Sequence, residues 1–195
     1  MSVASLTSGI DSNVDSFASD QGYYIKFIHQ PTGHSVQFPA TLKSFSDTHT
    51  PKYSENYGAN TMDPTIILSS TDRKISFSFT VLSSSLNEAR HNTQCVNLLI
   101  QMLYPLLSSD GTIIGNPYIT IEVMNLAQSS IESSGVLCVI DGIDYSMDLE
   151  SSVISYDDGE LHPISLDISI SATAILERDA NSATFLPNTY PSYGG

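Results

Sequence analysis

A chain of 195 residues and 21.1 kDa, 41% hydrophobic, is long enough to bury one substantial core, and no shift of composition marks a second domain. The formal net charge of −14 reflects a shortage of bases: six of the seven Lys and Arg precede Leu99, and beyond it Arg178 stands alone against thirteen acids. Such a C-terminal half repels phosphates, which argues against nucleic-acid or anionic-membrane binding. No apolar run is long enough to cross a bilayer, and Met1 to Asp20 is acidic and Ser-rich where a leader would be basic and then apolar. A soluble, cytoplasmically made protein is expected.

Residues 1–20 have no Lys or Arg and no steady period, so they read as an N-terminal arm that cannot bury enough surface alone. Tyr23 to His29 and Ser35 to Phe38 are β-branched or aromatic runs around Gln30-Pro31-Thr32-Gly33-His34, the pattern of a hairpin. Ala40 to Asp47 continues as a third strand, with Leu42 and Phe45 pointing inward. Thr48 to Pro64 carries Pro, Gly and Asn with Tyr53 and Tyr57 and no period, and is expected to be a long irregular loop. Ile66 to Leu68 reads as a short strand.

The clearest signals lie between Ser69 and Pro105. From Lys74 to Leu82 the chain alternates, with Ile75, Phe77, Phe79 and Val81 on one face and Lys74, Ser76, Ser78 and Thr80 on the other, as a half-buried strand requires. Ser85 then stands three residues before Glu88, a capping pair, and Ala89, Val96, Leu99, Ile100 and Leu103 recur at helical spacing until Pro105 stops them. One helix over about residues 85–104 is expected, the only long one.

After it come turn signals around Thr112 to Ile114, a strand from Tyr118 to Met124, and a nearly continuous apolar strand from Gly135 to Ile143, expected to be covered on both sides. Leu161 to Leu176 alternates Ile164, Leu166, Ile168 and Ile170 with Ser165, Asp167, Ser169 and Ser171. Residues 179–195 read as a C-terminal arm, polar but rich in aromatics. The sum is a mainly β fold, a sandwich or barrel with one flanking helix and extended arms, in a single domain over residues 21–178.

Little catalytic chemistry is legible. Asp141, Asp144, Asp148, Asp157, Asp158 and Glu160 are dense enough to suggest calcium, but their spacing is not that of a calcium loop, and a solvated acidic face is the simpler reading. The histidines form no ligand pair, no Gly-x-Ser-x-Gly elbow or phosphate loop occurs, and Cys95 and Cys138 sit in apolar runs as buried, reduced thiols. No catalytic residue, metal or cofactor is assigned.

The ordered set Val36-Gln37-Phe38-Pro39-Ala40-Thr41-Leu42, Phe45-Ser46-Asp47, Gly58, Met62-Asp63-Pro64, Thr71 to Phe79, Asn87-Glu88-Ala89 and Leu103-Tyr104-Pro105 resembles the tube-like baseplate proteins, or tail tube initiators, of contractile-tailed bacteriophages (myoviruses). The likeness covers roughly residues 24 to 105; it departs at Ala59-Asn60-Thr61 and at Ile66 to Leu68. It implies a non-enzymatic virion protein that forms a homohexameric ring between hub and tail tube. Its partners would be further copies of itself, the tail tube protein, the hub and other baseplate proteins, with DNA passing through the lumen without specific binding and no membrane involved. Candidate interface residues are Tyr53, Tyr57, Met62, Asp63, Arg73, Tyr190 and Tyr193. Arg73 is expected to pair with a carboxylate, with Asp63 in the same loop region as the candidate, a solvated edge charge being the alternative. Ser165, Asp167, Ser169 and Ser171 are the candidate lumen row. The competing class is a monomeric β-sandwich that binds carbohydrate or peptide through Tyr53, Tyr57 and the tail tyrosines.

Overall fold

The computed structural model describes residues 5–7, 23–39, 41–56, 65–124, 126–127, 135–147, 153–155 and 161–175. Among these residues, twelve strands and one helix follow in chain order: β1 Ser5–Thr7, β2 Tyr24–His29, β3 Ser35–Pro39, β4 Thr41–Asn56, β5 Thr65–Leu82, α1 Leu86–Gln101, β6 Leu106–Leu107, β7 Ile113–Gly115, β8 Ile119–Val123, β9 Val136–Met147, β10 Val153–Ser155, β11 Leu161–Pro163 and β12 Ser165–Ala174. The expected class, mainly β with a single helix, is the one observed among these residues.

Eight strands make one sheet in the order β1-β3-β2-β8-β9-β12-β5-β4, antiparallel throughout except for β1, which runs parallel to β3. The alternation of β2, β3, β5 and β12 puts one apolar face on each, and the sheet folds over so that these faces meet. Phe27 of β2 stacks on Phe77 of β5 with ring centroids 6.3 Å apart, and Phe38 of β3 meets Phe79 of β5 at 5.7 Å. Such aromatic contacts add roughly 0.5–1.5 kcal/mol each to the area they remove from water. Ile25, Val36, Ile75, Ile119, Ile121, Leu166 and Ile168 fill the same two-layer core.

Helix α1 begins where the sequence signals it. Ser85, in extended conformation, accepts a hydrogen bond from the Glu88 N–H at 3.3 Å, while the Glu88 carboxylate reaches back to the Ser84 N–H at 2.7 Å and its hydroxyl at 2.6 Å. The return arm of the cap thus goes one residue further back than a capping box places it. The helix buries Ala89, Cys95, Val96 and Leu99, and Arg90 Nε donates to His162 Nε2 of β11 at 3.3 Å. Regular helix ends at Gln101, and turns through Met102 and Leu103 lead to Pro105.

The largest departure from expectation is in the segment taken as a loop. Residues 48–56 are the second half of β4, paired with β5 as far as Asn56↔Thr65, and Ile66 to Leu68 belong to the same long β5 instead of a strand of their own. Strand pairing satisfies backbone groups whichever way side chains face, so a ribbon exposed on both sides needs no hydrophobic period. Residues 57–64 lie outside the described residues. The apolar run of β9 is only partly covered: Val136 and Cys138 are buried, Val139 and Ile140 half-buried, and Asp144 to Met147 exposed. Three residues of the N-terminal arm pair with their own chain, Ser5, Leu6 and Thr7 opposite Ser35, Val36 and Gln37; the rest of both arms falls outside the description.

Candidate assembly surfaces

Three neighbouring features on the β4, β5 and β12 side could serve a partner. The first is the root of the β4–β5 ribbon. His49 stands opposite Arg73, and Asp47 opposite Ile75, so the Asp47 and Arg73 side chains lie diagonally on the face that continues from the core. Arg73 Nη2 donates to Asp47 Oδ2 at 2.6 Å and Nε to both carboxylate oxygens at 3.1 Å. The Asp47 side chain is only 3% exposed and that of Arg73 17%, while His49 Nε2 lies 3.3 Å from Asp47 Oδ1. The expected fork between Arg73 and a carboxylate is present, but its partner is Asp47. Asp63, the candidate named from the sequence, falls outside the described residues. Register explains the choice, since Asp47 sits one diagonal step from Arg73 on the paired strand, a relation invisible while residues 48–56 read as loop.

Beyond this anchor the ribbon carries an apolar patch. The register shifts between Lys52 and Tyr53, where one step on β4 matches two on β5, so that Tyr53 faces Leu68. The bulge moves Leu68 and Ile66 onto the side shared by Asp47, Arg73 and Tyr53, the re-aiming that β-bulges produce. Tyr53 is 60% exposed and Ile66 61%, with Leu68 close behind. On the opposite side Lys52 pairs with Asp72 at 2.5 Å.

The third feature is the outer face of the β9, β12, β5 and β4 layer. Ser169 stands between Ser78 and Asp144, and Ser171 between Ser76 and Gly142, while Ser44 and Ser46 of β4 extend both rows. These side chains line a shallow groove, floored by backbone at Gly142. Ser44 and Ser78 share a hydrogen bond at 2.6 Å. Asp167 is not a bare charge: Lys43 Nζ reaches its Oδ1 at 2.7 Å and Thr80 Oγ1 donates to the same oxygen at 2.6 Å. Lys43 reaches this face because β4 is irregular between Leu42 and Ser44. Asp141, the residue of β9 left unpaired where the register shifts opposite Ser171 and Ala172, accepts from Thr173 Oγ1 at 2.7 Å. The four candidate lumen residues, Ser165, Asp167, Ser169 and Ser171, therefore do share one polar surface, wider and nearer to neutral than the sequence alone implies.

Elsewhere two thiols are shut away from solvent. Burial pushes the thiols of Cys95 and Cys138 up to about 12, and both cysteines are free. Among the described residues no three His, Cys, Asp or Glu converge on a metal-sized site, and no helix is long and apolar enough to cross a membrane. Tyr57, Met62, Asp63, Tyr190 and Tyr193 all lie outside the described residues, so Tyr53 and Arg73 alone of the candidate interface residues have positions.

No family model matches the chain, and no curated protein matches it. Among solved structures it is similar to a chain in the tail of an empty gene transfer agent (GTA) particle obtained by helical refinement with C6 symmetry, at 12% identity and a TM-score of 0.35 over 80% of this chain and 93% of that one. A chain in the virion of a native gene transfer agent particle follows at 10% identity and a TM-score of 0.32, covering 80% of this chain and 92% of that one. Scores this low leave the makeup and symmetry of those particles with the particles.

Proposed function

We propose that this chain is a structural protein of a phage tail: a homohexameric baseplate ring, of the tail tube initiator kind, that joins the central hub to the tail tube and templates its assembly. The observation that carries the reading is the β4–β5 ribbon. β4, of sixteen residues, and β5, of eighteen, both continue well past the part of the sheet that closes the core, and their outer half presents Tyr53, Ile66 and Leu68 to solvent. An isolated two-stranded ribbon is marginal in water, so one this long with apolar side chains has its use in contact with other molecules. The sequence resemblance over residues 24 to 105 spans β2 to α1, the elements that build and anchor that ribbon, and supplies the kind of assembly.

In this reading the hydroxyl-rich face of β4, β5, β12 and β9 turns to the lumen. A wall that lets DNA slide must not hold it, and each Lys or Arg contact to phosphate adds affinity that accumulates along a channel. On that face Lys43 and Lys74 stand with Asp141, Asp144 and Asp167, and Lys43 is already engaged by Asp167. The work is done without turnover, by a protein that ends up in the virion after assembly in the host cytoplasm. Tyr57, Met62, Asp63, Tyr190 and Tyr193 are proposed to meet neighbouring subunits, the tube protein or the hub.

The test is genetic. Phage lacking this chain should accumulate hubs and baseplate parts without attached tubes, and complementation should restore tails; particles with normal tails in its absence end the proposal. The groove lined by Ser44, Ser78, Ser169 and Asp144 favours one other reading, a monomeric module whose hydroxyls and Tyr53 hold a carbohydrate. Glycan binding by a protein that stays monomeric would support that module.

A further inference from the structure

The large sheet has two ends, and they are unlike. At one end β4 is poorly made for a further strand: its register breaks between Leu42 and Ser44 and again between Lys52 and Tyr53, and Lys43, Pro51 and Lys52 lie along it. Bulges, proline and lysine are the devices that keep a sheet edge from pairing. At the other end β3 runs from Ser35 to Pro39 with no break of register against β2, and its outer edge already carries a strand. β1 lies there in parallel, with Ser5, Leu6 and Thr7 in register with Ser35, Val36 and Gln37. The edge thus has both the room and the backbone groups for strand addition. Its present occupant is a weak one, since β1 is three residues long, pairs in the parallel sense that is less stable per residue, and leaves Phe38 with no strand partner on that side among the described residues.

We infer that the outer edge of β3 is a binding site for an extended peptide segment of another protein, which adds as a parallel strand in place of β1. Exchange of β1 between identical copies would re-form the same three residue pairs, so a second copy gains no pairing there. A foreign segment gains by length, because one that stays in register through Phe38 makes a pair that β1 does not. In strand addition the main-chain hydrogen bonds supply affinity and alternate side chains supply specificity, and β3 sets the pattern it accepts. Val36 and Phe38 are buried in the core, whereas Ser35, Gln37 and Pro39 are half-buried. Residues in register across a strand pair share a face, so the segment needs apolar side chains opposite Val36 and Phe38 and small polar ones opposite Ser35 and Gln37. Residue 40 alone separates β3 from β4, which limits the added strand to the five residues of β3. β1, being tethered, has the advantage of an intramolecular contact and keeps the edge closed to poorer sequences. The site belongs to the isolated chain and does not rest on the ring of the proposed function.

The experiment uses the full chain and fluorescent synthetic peptides in the register of β1: one with the sequence of residues 3–9, and one that also carries Ser8→Val, which sets an apolar residue opposite Phe38. In the protein, Leu6→Pro with Thr7→Pro removes two backbone donors of β1 and releases the edge. By fluorescence anisotropy this variant should bind the Ser8→Val peptide about tenfold or more tightly than wild type does, the difference being the tethered competitor. It should bind the unaltered peptide more weakly than the Ser8→Val one, and a peptide with Leu6→Asp not at all. Hydrogen exchange of the complex should slow within residues 35–38. A released variant that takes up neither peptide at any soluble concentration, or a wild type that binds as tightly as the variant, overturns the inference. So does a wild type that sediments as a dimer while the proline variant is monomeric, since β1 would then be given to a second copy. Should the proline pair melt far below wild type, Leu6→Gly replaces it, and the same difference in peptide binding must appear. Peptide binding by a chain that never enters tails would refute the tail reading and leave the site standing.

Discussion

Arg73 grips Asp47 through three hydrogen bonds of 2.6 to 3.1 Å across the β4–β5 pair, at the point where the ribbon leaves the core. Because the Asp47 side chain is almost fully buried, removing its partner strands a carboxylate away from water. Arg73→Ala should cost about 3 kcal/mol in urea unfolding, the usual penalty for breaking a buried pair from one side. Arg73→Lys should recover only part of it, since an ammonium cannot reproduce the fork. A loss below about 0.5 kcal/mol would make the pair a solvated edge contact.

That pair also shows where sequence reading runs out. Phe77 and Phe79, or Leu166 and Ile168, announce their strands because burial imposes a period of two, and Ser85 with Glu88 announces a helix start because capping needs fixed spacing. The outer half of β4 is exposed on both sides, so nothing selects alternating side chains there and Pro51 makes it look like loop. Asp47 as the partner of Arg73, Lys43 as the partner of Asp167 and the re-aimed Leu68 all depend on register and bulges, which one dimension does not carry. The row from Ser165 to Ser171 was legible as one face; its extension by Ser44, Ser46, Ser76 and Ser78 needed the strand order.

Acid should weaken the fold through His29. Its side chain is buried in the last position of β2, with Nδ1 2.7 Å from Thr32 Oγ1 and Nε2 without a hydrogen-bond partner among the described residues. Burial, and secondarily the nearby His34, hold its pKa below the ordinary 6.5. The folded state therefore prefers the neutral ring. Its contribution is complete above about pH 6.5 and declines as the pH falls below that value. The melting temperature should drop between pH 7 and pH 5, and His29→Phe should flatten that part of the profile. An unchanged slope in the variant assigns the acid sensitivity to other groups.

Gly135 should tolerate no side chain. Its φ is +68°, and a Cβ there would lie 2.8 Å from Thr120 Cγ2 and 2.9 Å from the Ile121 carbonyl oxygen. Gly135→Ala should destabilise the fold by about 2 kcal/mol or more, from strain and from the displaced β8 backbone. Gly111, also at positive φ but with open space around it, provides the control: Gly111→Ala should cost less. Equal effects would mean that conformation alone, without the clash, sets the loss.

The lumen assignment rests on charge. Asp167→Lys would set a second base beside Lys43, and Ser169→Lys would add one in the middle of the hydroxyl rows. In an assembled particle both together should slow DNA ejection, more strongly at low salt because phosphate contacts are screened. Normal ejection from particles of normal appearance would remove β12 from the channel.

The central claim is that this chain works as a member of a ring. The most direct measurement is electron microscopy of the purified full-length protein at high concentration, classified without imposed symmetry. The account predicts annular particles with six equivalent subunits around an open centre, alone or stacked. Class averages containing only single compact domains, at concentrations where the protein remains soluble and folded, would contradict it.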